Sequence, residues 1–588
     1  MWRKAIAVVT GVLCLTVLGA AAPSRSPVAD AAMQKDRAAV QALLRQAADV
    51  NSAQGDGMTA LHWAAMNDDP AMAQMLLYAG ADVNAVTRLV GFTPLDLAAR
   101  NGAADVVRVL LEGGADPKRA DLHGTTALMF AAASGNVAAV TALLDAGAAV
   151  NAHESFRHET ALMFAAAHGR ADVVKLLLAH GADWKATTTV FDWAKLPKTD
   201  PRVAGAFFPG TRPEETAAGK GTVGAGGGAP ATRERPAKDG PAPAGKARAA
   251  NEPRRATYPD LVGTQGGLTA LLFAARDGHL DTMTALVDAG ADVNQADPGD
   301  DTTPLLIAII NGHFDAAEYL LAHGANPNTA ARNGAAPLYA VVNTQWHDKS
   351  EYPFPFTHEQ QKTTYLQLMT DLLARGANPN ARLKEKVWWT NYNLDQSGID
   401  EAGATPFWRA AYADDVEAMK LLVAHGADPT IPTYKPAGRP RGVDRDGIAA
   451  PKTDPSGLPP VPVGGPDIPP IVAAAGAGYG HSFTANHHRY APTGMLAAVK
   501  YLVEVLHADV NAHDADGNTA LHQAAARGDN AMVLYLVSKG ANVRAVNRAG
   551  QTVADLANGP YQRIPPYPET MALLQKLGAQ VEHKCVSC

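Results

Sequence analysis

Three cysteines in 588 residues are too few to staple a fold. Cys14 lies in an apolar N-terminal run, and Cys585 and Cys588 share the last four positions, so a disulfide-bonded core is excluded. Aromatic residues make up only 6% of the chain, which argues against a core of large rings and suits small side chains in close contact. Positive charge is not in excess either. The net charge is −7, without the basic footprint that nucleic-acid binding leaves, so no nucleic-acid partner is expected. Past the N-terminal run, no apolar stretch is long enough to cross a bilayer.

That run reads as an export signal over residues 1–22. Arg3 and Lys4 open it, Ala5 to Leu18 are apolar, and Gly19-Ala20-Ala21-Ala22 supply small residues for cleavage. Cutting after Ala21 is favoured over Ala22, because Pro23 would then follow the cut directly. A second small-residue site ends at Ala31. The apolar stretch is short for an anchor, and Cys14 lacks the small residues before it that a lipoprotein signal needs. A periplasmic or extracellular protein is therefore expected, with no membrane span once the signal is removed. The remainder, at 47% hydrophobic and 19% charged for the whole chain, has the balance of a folded soluble protein.

Within it one motif recurs. Thr59-Ala60-Leu61-His62-Trp63-Ala64-Ala65 returns as Thr93-Pro94-Leu95-Asp96-Leu97-Ala98-Ala99, and again from Thr126 and Thr160. Further copies begin at Thr269, Thr303, Thr405 and Thr519, with weaker ones at Ala336, Pro469 and Thr552. The first four starts are 34, 33 and 34 residues apart, the kind of period that marks a stacked-repeat architecture. Each copy has one grammar. Thr, often followed by Pro, opens a short helix by capping free N–H groups. Leu and paired Ala share a face. After a short turn comes a second apolar helix, such as Asp105 to Leu111. It closes on a glycine (Gly80, Gly114, Gly147, Gly181, Gly290, Gly324, Gly376, Gly426 or Gly540), where a left-handed cap costs glycine little. Asp-Val-Asn or Asn-Pro-Asn then leads into an extended loop.

This grammar resembles the ankyrin repeat: Gly-x-Thr-Pro-Leu-His-x-Ala-Ala, Gly-His, Val-Val-x-Leu-Leu-Leu, Gly-Ala-Asp-Val-Asn. Gly57 to Asn84, Gly91 to Pro117 and Gly517 to Val543 match it closely. The resemblance implies an all-α repeat solenoid of about ten to eleven helix-turn-helix repeats. Short hairpin fingers would join them and a concave face would bind other proteins. One repeat cannot bury its own apolar side, so stability comes from stacking.

Several stretches depart from the pattern. His507 stands where the closing glycine belongs, a substitution His tolerates better than most residues. Gln34 to Asn51 holds only a second helix and its turn, which reads as an N-terminal cap. Residues 551–580 read as a degenerate C-terminal cap. The first block of repeats occupies 31–190 and the second 265–582. Between them, residues 191–264 are rich in Gly, Pro and Ala, a composition that cannot bury a core, and disorder is expected there. Smaller insertions fall at 345–357, 382–402, 433–467 and 476–494. They read either as neutral loop elaboration or, for the finger carrying Trp388 and Trp389, as an aromatic contact hot spot.

Enzyme signatures fail on inspection. Gly480-His481-Ser482-Phe483-Thr484 lacks the final Gly and the preceding strand of a nucleophile elbow. His481, His487 and His488 have no ordered acidic or thiol companion for a metal. Gly219-Lys220 lacks the upstream Gly of a phosphate loop, and Ala512 occupies the first ligand position of the calcium-loop-like run at Asp514. His62 and His522 belong to the repeat signature and read as structural. No catalytic residue, metal site or cofactor is expected. The tail His583-Lys584-Cys585-Val586-Ser587-Cys588 leaves three readings open. It is a plain disulfide or dithiol, a redox or metal dithiol, or a c-type haem attachment site at Cys585 and Cys588 if a His follows. The functional expectation is a monomeric, non-enzymatic scaffold, bacterial in style, for an unidentified protein partner. Its contacts, assigned by position at loop tips, are Arg88, Leu89, Lys118, Arg119, His123, Phe156 and Arg157, with Trp388 and Trp389 on the longer finger. The alternative is a docking module for an exported redox or haem protein.

Overall fold

The computed structural model describes residues 26–193, 195–196, 262–347, 356–387, 389, 399–437, 453–479, 490–560 and 564–585. Their helices come in pairs. The pairs are α1 (Pro27–Met33) with α2 (Arg37–Arg45), α3 (Ala60–Met66) with α4 (Pro70–Tyr78), α5 (Pro94–Arg100) with α6 (Ala104–Glu112), and α7 (Ala127–Ser134) with α8 (Val137–Asp145). Next are α9 (Ala161–Ala167) with α10 (Ala171–Ala179), α11 (Ala270–Arg276) with α12 (Leu280–Asp288), α13 (Pro304–Ile310) with α14 (Phe314–Ala322), and α15 (Pro337–Gln345) with α16 (Tyr365–Ala374). The series ends with α17 (Pro406–Tyr412) and α18 (Val416–Ala424), α19 (Pro470–Ala474) and α20 (Met495–Lys500), α21 (Ala520–Ala526) and α22 (Asn530–Ser538), and α23 (Val553–Leu556) and α24 (Pro568–Lys576). It is an all-α repeat solenoid.

The pairing adds one helix that the motif did not announce. α1 completes the pair at the N-terminus, where the sequence suggested α2 alone. It lacks the Thr-x-Leu signature and is held from outside: Gln54 Nε2 donates to Asp30 (2.6 Å) and Asn67 Nδ2 to the Ala32 carbonyl (2.9 Å). A cut after Ala31 would sever this helix, whereas a cut after Ala21 leaves it whole. Residues 1–25 lie outside the described residues.

First helices stack on first helices and second on second, and the stacking continues across the long insertion from α9 to α11 and from α10 to α12. Leu61, Leu128 and Leu271 are buried in one apolar core that runs from Val28 to Ala579. Most of the first helices start where a Thr hydroxyl accepts the N–H three residues on, as at Thr59, Thr93, Thr160, Thr269, Thr303 and Thr405. Each second helix closes on a left-handed residue. Gly181, at φ +82°, is representative of the nine glycines, and His507 takes the same conformation at φ +56°. The helix before His507 does deviate, widening into a π-helical turn at Tyr501–Val505.

Two sets of hydrogen bonds tie one pair to the next besides packing. The Asn that ends each Ala-Asp-Val-Asn turn reaches forward. Asn328 Nδ2 donates to the Gly376 carbonyl (2.8 Å) while its Oδ1 accepts the Asn378 N–H (2.7 Å). Asn51, Asn151, Asn294, Asn380 and Asn511 repeat both bonds. The fingers pair through their main chains: Arg88 N–H to Asp56 O, Leu122 to Val90, Ser155 to His123, Thr189 to Arg157, each at 2.7–3.0 Å. At the root of the long insertion, β1 (Phe191–Asp192) and β2 (Thr264–Gln265) pair antiparallel, with Phe191 opposite Gln265. Thr188 and Leu268 exchange further bonds below them. The disorder expected over 191–264 therefore does not include its two ends. Residues 197–261 lie outside the described residues, as do 348–355, 390–398, 438–452 and 480–489 of the smaller insertions.

Candidate protein-binding face

The fingers owe their shape to carboxylates turned inward. Asp121 accepts the N–H groups of His123 and Thr125 (both 2.8 Å), and Glu154 those of Phe156, Arg157 and Glu159. Asp297 does the same for Gly299, Asp300 and Thr302 (2.8–3.1 Å). Each acid supplies acceptors where a tight turn strands backbone donors. Large apolar and cationic side chains face outward beside them. Leu89 is 82% exposed, Leu122 71% and Phe156 50%, and Arg88, Lys118, Arg119, His123 and Arg157 are exposed with them.

Between the fingers and the first helices runs a strip of half-buried rings. Trp63, Phe130 and Phe164 stand two residues after the repeat Leu, and Phe273 and Ile307 follow at the same place in later copies. Trp63 Nε1 donates to Gln54 on its finger (2.8 Å). Phe130 meets Phe92 edge-on at 5.6 Å. Rings of this kind bury much apolar area for few side-chain torsions. Their signal is legible in the sequence, as the variable residue inside an otherwise fixed Leu-x-x-Ala-Ala, a place distinct from the loop tips.

Where the strip meets the long insertion it deepens into a cavity of about 510 Å³. Phe191, Leu268, Phe273, Ile307, Ile310 and Trp389 form apolar walls, and Arg157, Glu159, Arg276, Asp297 and Asp300 add charge. Arg276 is bonded twice to Asp277 (2.8 and 3.0 Å) and lies 4.8 Å from the Phe273 ring centre. Burial, and then the neighbouring Asp300, lift the Asp297 carboxyl to about 7. Burial also raises Glu159, against the pull of Arg157, 3.8 Å away.

The positional assignments fare unevenly. Arg88, Leu89, Arg119, His123, Phe156 and Arg157 stand on consecutive fingers. Lys118 does not belong to a tip: it occupies the place of the bridging Asn, its N–H bonded to Asp116 as Asn84 is to Asp82. Trp389 is half-buried against the core and lines the cavity with Phe273 of α11 and Ile307 of α13. Trp388 lies outside the described residues. His62 and His522 are fully buried in the first helices, each with Nδ1 receiving the N–H of its capping Thr at 3.2 Å. Burial lowers both, His522 to about 4. Cys585 is disulfide-bonded, to a residue outside the described ones. Beside it, His583 is fixed to Asp555 (3.0 Å). The histidines of the 476–494 insertion lie outside the described residues. Among the described residues, no helix is long and apolar enough to cross a membrane.

A family model described as ankyrin repeats (three copies) matches residues 28–121, 114–188, 254–331 and 487–584. The single ankyrin repeat matches 402–434. Together they cover more than half of the chain. No curated protein matches it.

Proposed function

The chain belongs to the ankyrin-repeat family, and on that premise we propose that it is a non-enzymatic scaffold. It binds a protein partner along the fingers and first helices of its N-terminal block, as a monomer, in the periplasm or outside a bacterial cell. One observation carries this reading. Leu89, Leu122 and Phe156 are large apolar side chains left exposed on successive fingers, and the backbone bonds between those fingers hold them in a row. Single exposed apolar residues mean little, but a row bordering a groove marks an interaction site. The groove supplies ring faces and a cavity of ligand size. The inward carboxylates fix the finger backbones beforehand, so little ordering entropy is lost on binding. The N-terminal run, read as an export signal, is the support for that location.

The test uses Leu89→Asp and Leu122→Asp, which replace exposed side chains and leave the core alone. Tyr78→Asp, at 84% exposure on α4, serves as the matched control. Partner captured from periplasmic or supernatant fractions should bind the two finger variants at least about tenfold more weakly, and the control normally. Equal loss in all three, or in none, rejects the assignment.

A further inference from the structure

The same ridge has a charge pattern that bears on what it binds. Its acids are engaged by the fold, although Asp56 is itself exposed. Asp56, Asp121 and Glu154 turn oxygens onto N–H groups of their own fingers, and Glu159 faces Arg157. Among the described residues no carboxylate lies in ion-pair contact with Arg88 or Arg119, although both are exposed. The surface is therefore cationic and apolar by alternation: Arg88 with Leu89, Arg119 with Leu122, then Phe156 with Arg157. In a chain of net charge −7, Arg88 and Arg119 stand beside Leu89 and Leu122, the most exposed leucines among the described residues.

We infer that the partner presents an acidic, apolar segment to this ridge. The inference rests on the proposed binding face and adds the chemistry of its occupant. Aspartate or glutamate side chains pair with Arg88 and Arg119 in the forked geometry guanidinium favours. Large apolar residues of the segment cover Leu89 and Leu122. A bulky apolar side chain enters the cavity lined by Phe273, Ile307 and Trp389. Charge complementarity of this kind acts on encounter rate and specificity and weakens with salt. An anionic bilayer would also meet the arginines, but it has no use for a groove of rings ending in a pocket.

The experiment pans a random dodecapeptide library on the full chain. Retained sequences should be enriched in Asp and Glu together with Leu, Phe or Trp. A synthetic representative should bind the Arg88→Glu/Arg119→Glu chain at least about tenfold more weakly, and should lose affinity as NaCl rises. If the retained peptides are neutral or basic, or bind the charge-reversed chain equally while Leu122→Asp still abolishes binding, the acidic partner is wrong and the binding face stands. Peptides indifferent to both sets of variants would sink the face as well. Vesicles of phosphatidylserine and phosphatidylcholine that carry the protein down and displace the peptides would make a membrane the occupant and overturn the inference.

Discussion

Acid should loosen the C-terminal repeats through one buried histidine. His522 Nδ1 receives the Thr519 N–H at 3.2 Å and lies 3.0 Å from the Thr519 hydroxyl, with no exposed surface. Only the unprotonated nitrogen can accept that bond, and burial holds its pKa near 4. An ordinary histidine titrates near 6.5. The folded value is thus depressed: the contribution is whole above about pH 6.5 and is lost as pH falls through about 4. At about pH 5 the loss is about 2 kcal/mol, rising to on the order of 3 kcal/mol below about pH 4. His522→Gln offers a carbonyl oxygen to the same N–H, as a capping box does, but does not titrate. Hydrogen exchange of the α21 amides in the full chain reads the local opening free energy. Wild type and variant should agree near neutral pH and separate by about 2 kcal/mol near pH 5. The difference is the proper readout, because Asp96, raised by burial to about 6, has the opposite sign: it stabilises as pH falls. Equal acid sensitivity in both proteins would refute the assignment.

Other outcomes follow from single contacts. Gly181→Ala places a methyl in open space but keeps φ at +82°, so a cost of about 1–2 kcal/mol from left-handed strain alone is expected in urea unfolding. Gly266→Ala is worse, because its Cβ would sit 2.0 Å from the Thr189 carbonyl oxygen. It should cost about 3 kcal/mol or more, and faster exchange of the Thr188 and Leu268 amides should report the opened junction. Asn328→Ala removes both bonds to the next pair at an exposed site, where water partly replaces them. A loss of about 1 kcal/mol is expected, measured by the same urea midpoint.

Much of this architecture was legible because the repeat writes its own punctuation. The Thr caps, the closing glycines and even the left-handed His507 follow from residue type at a fixed place. α1 was not legible: seven residues without the motif become helical because Asn67 and Gln54 of the next pair hold them. The proposed binding face was half legible. The fingers could be found from spacing, and so Arg88, Leu89 and Phe156 were. Whether a finger acid points out or serves its own backbone depends on turn geometry, so the surplus of free arginine was hidden until Asp121 and Glu154 were placed. Trp389 was read as a candidate contact, but its place in one cavity wall with Phe273 and Ile307 joins segments far apart in the chain, which no local pattern encodes. Leu122 was passed over although it sits beside His123, since nothing in its repeat separates an outward leucine from a core one.

The central claim is that the partner lies on the finger and first-helix side. A photo-crosslinking amino acid placed singly at Leu122, Phe156, Tyr78 or Leu534, followed by irradiation with the captured partner, tests it directly. Adducts from Leu122 and Phe156 with none from Tyr78 or Leu534, both exposed on second helices, are the predicted result. Adducts chiefly from Tyr78 and Leu534 would contradict it.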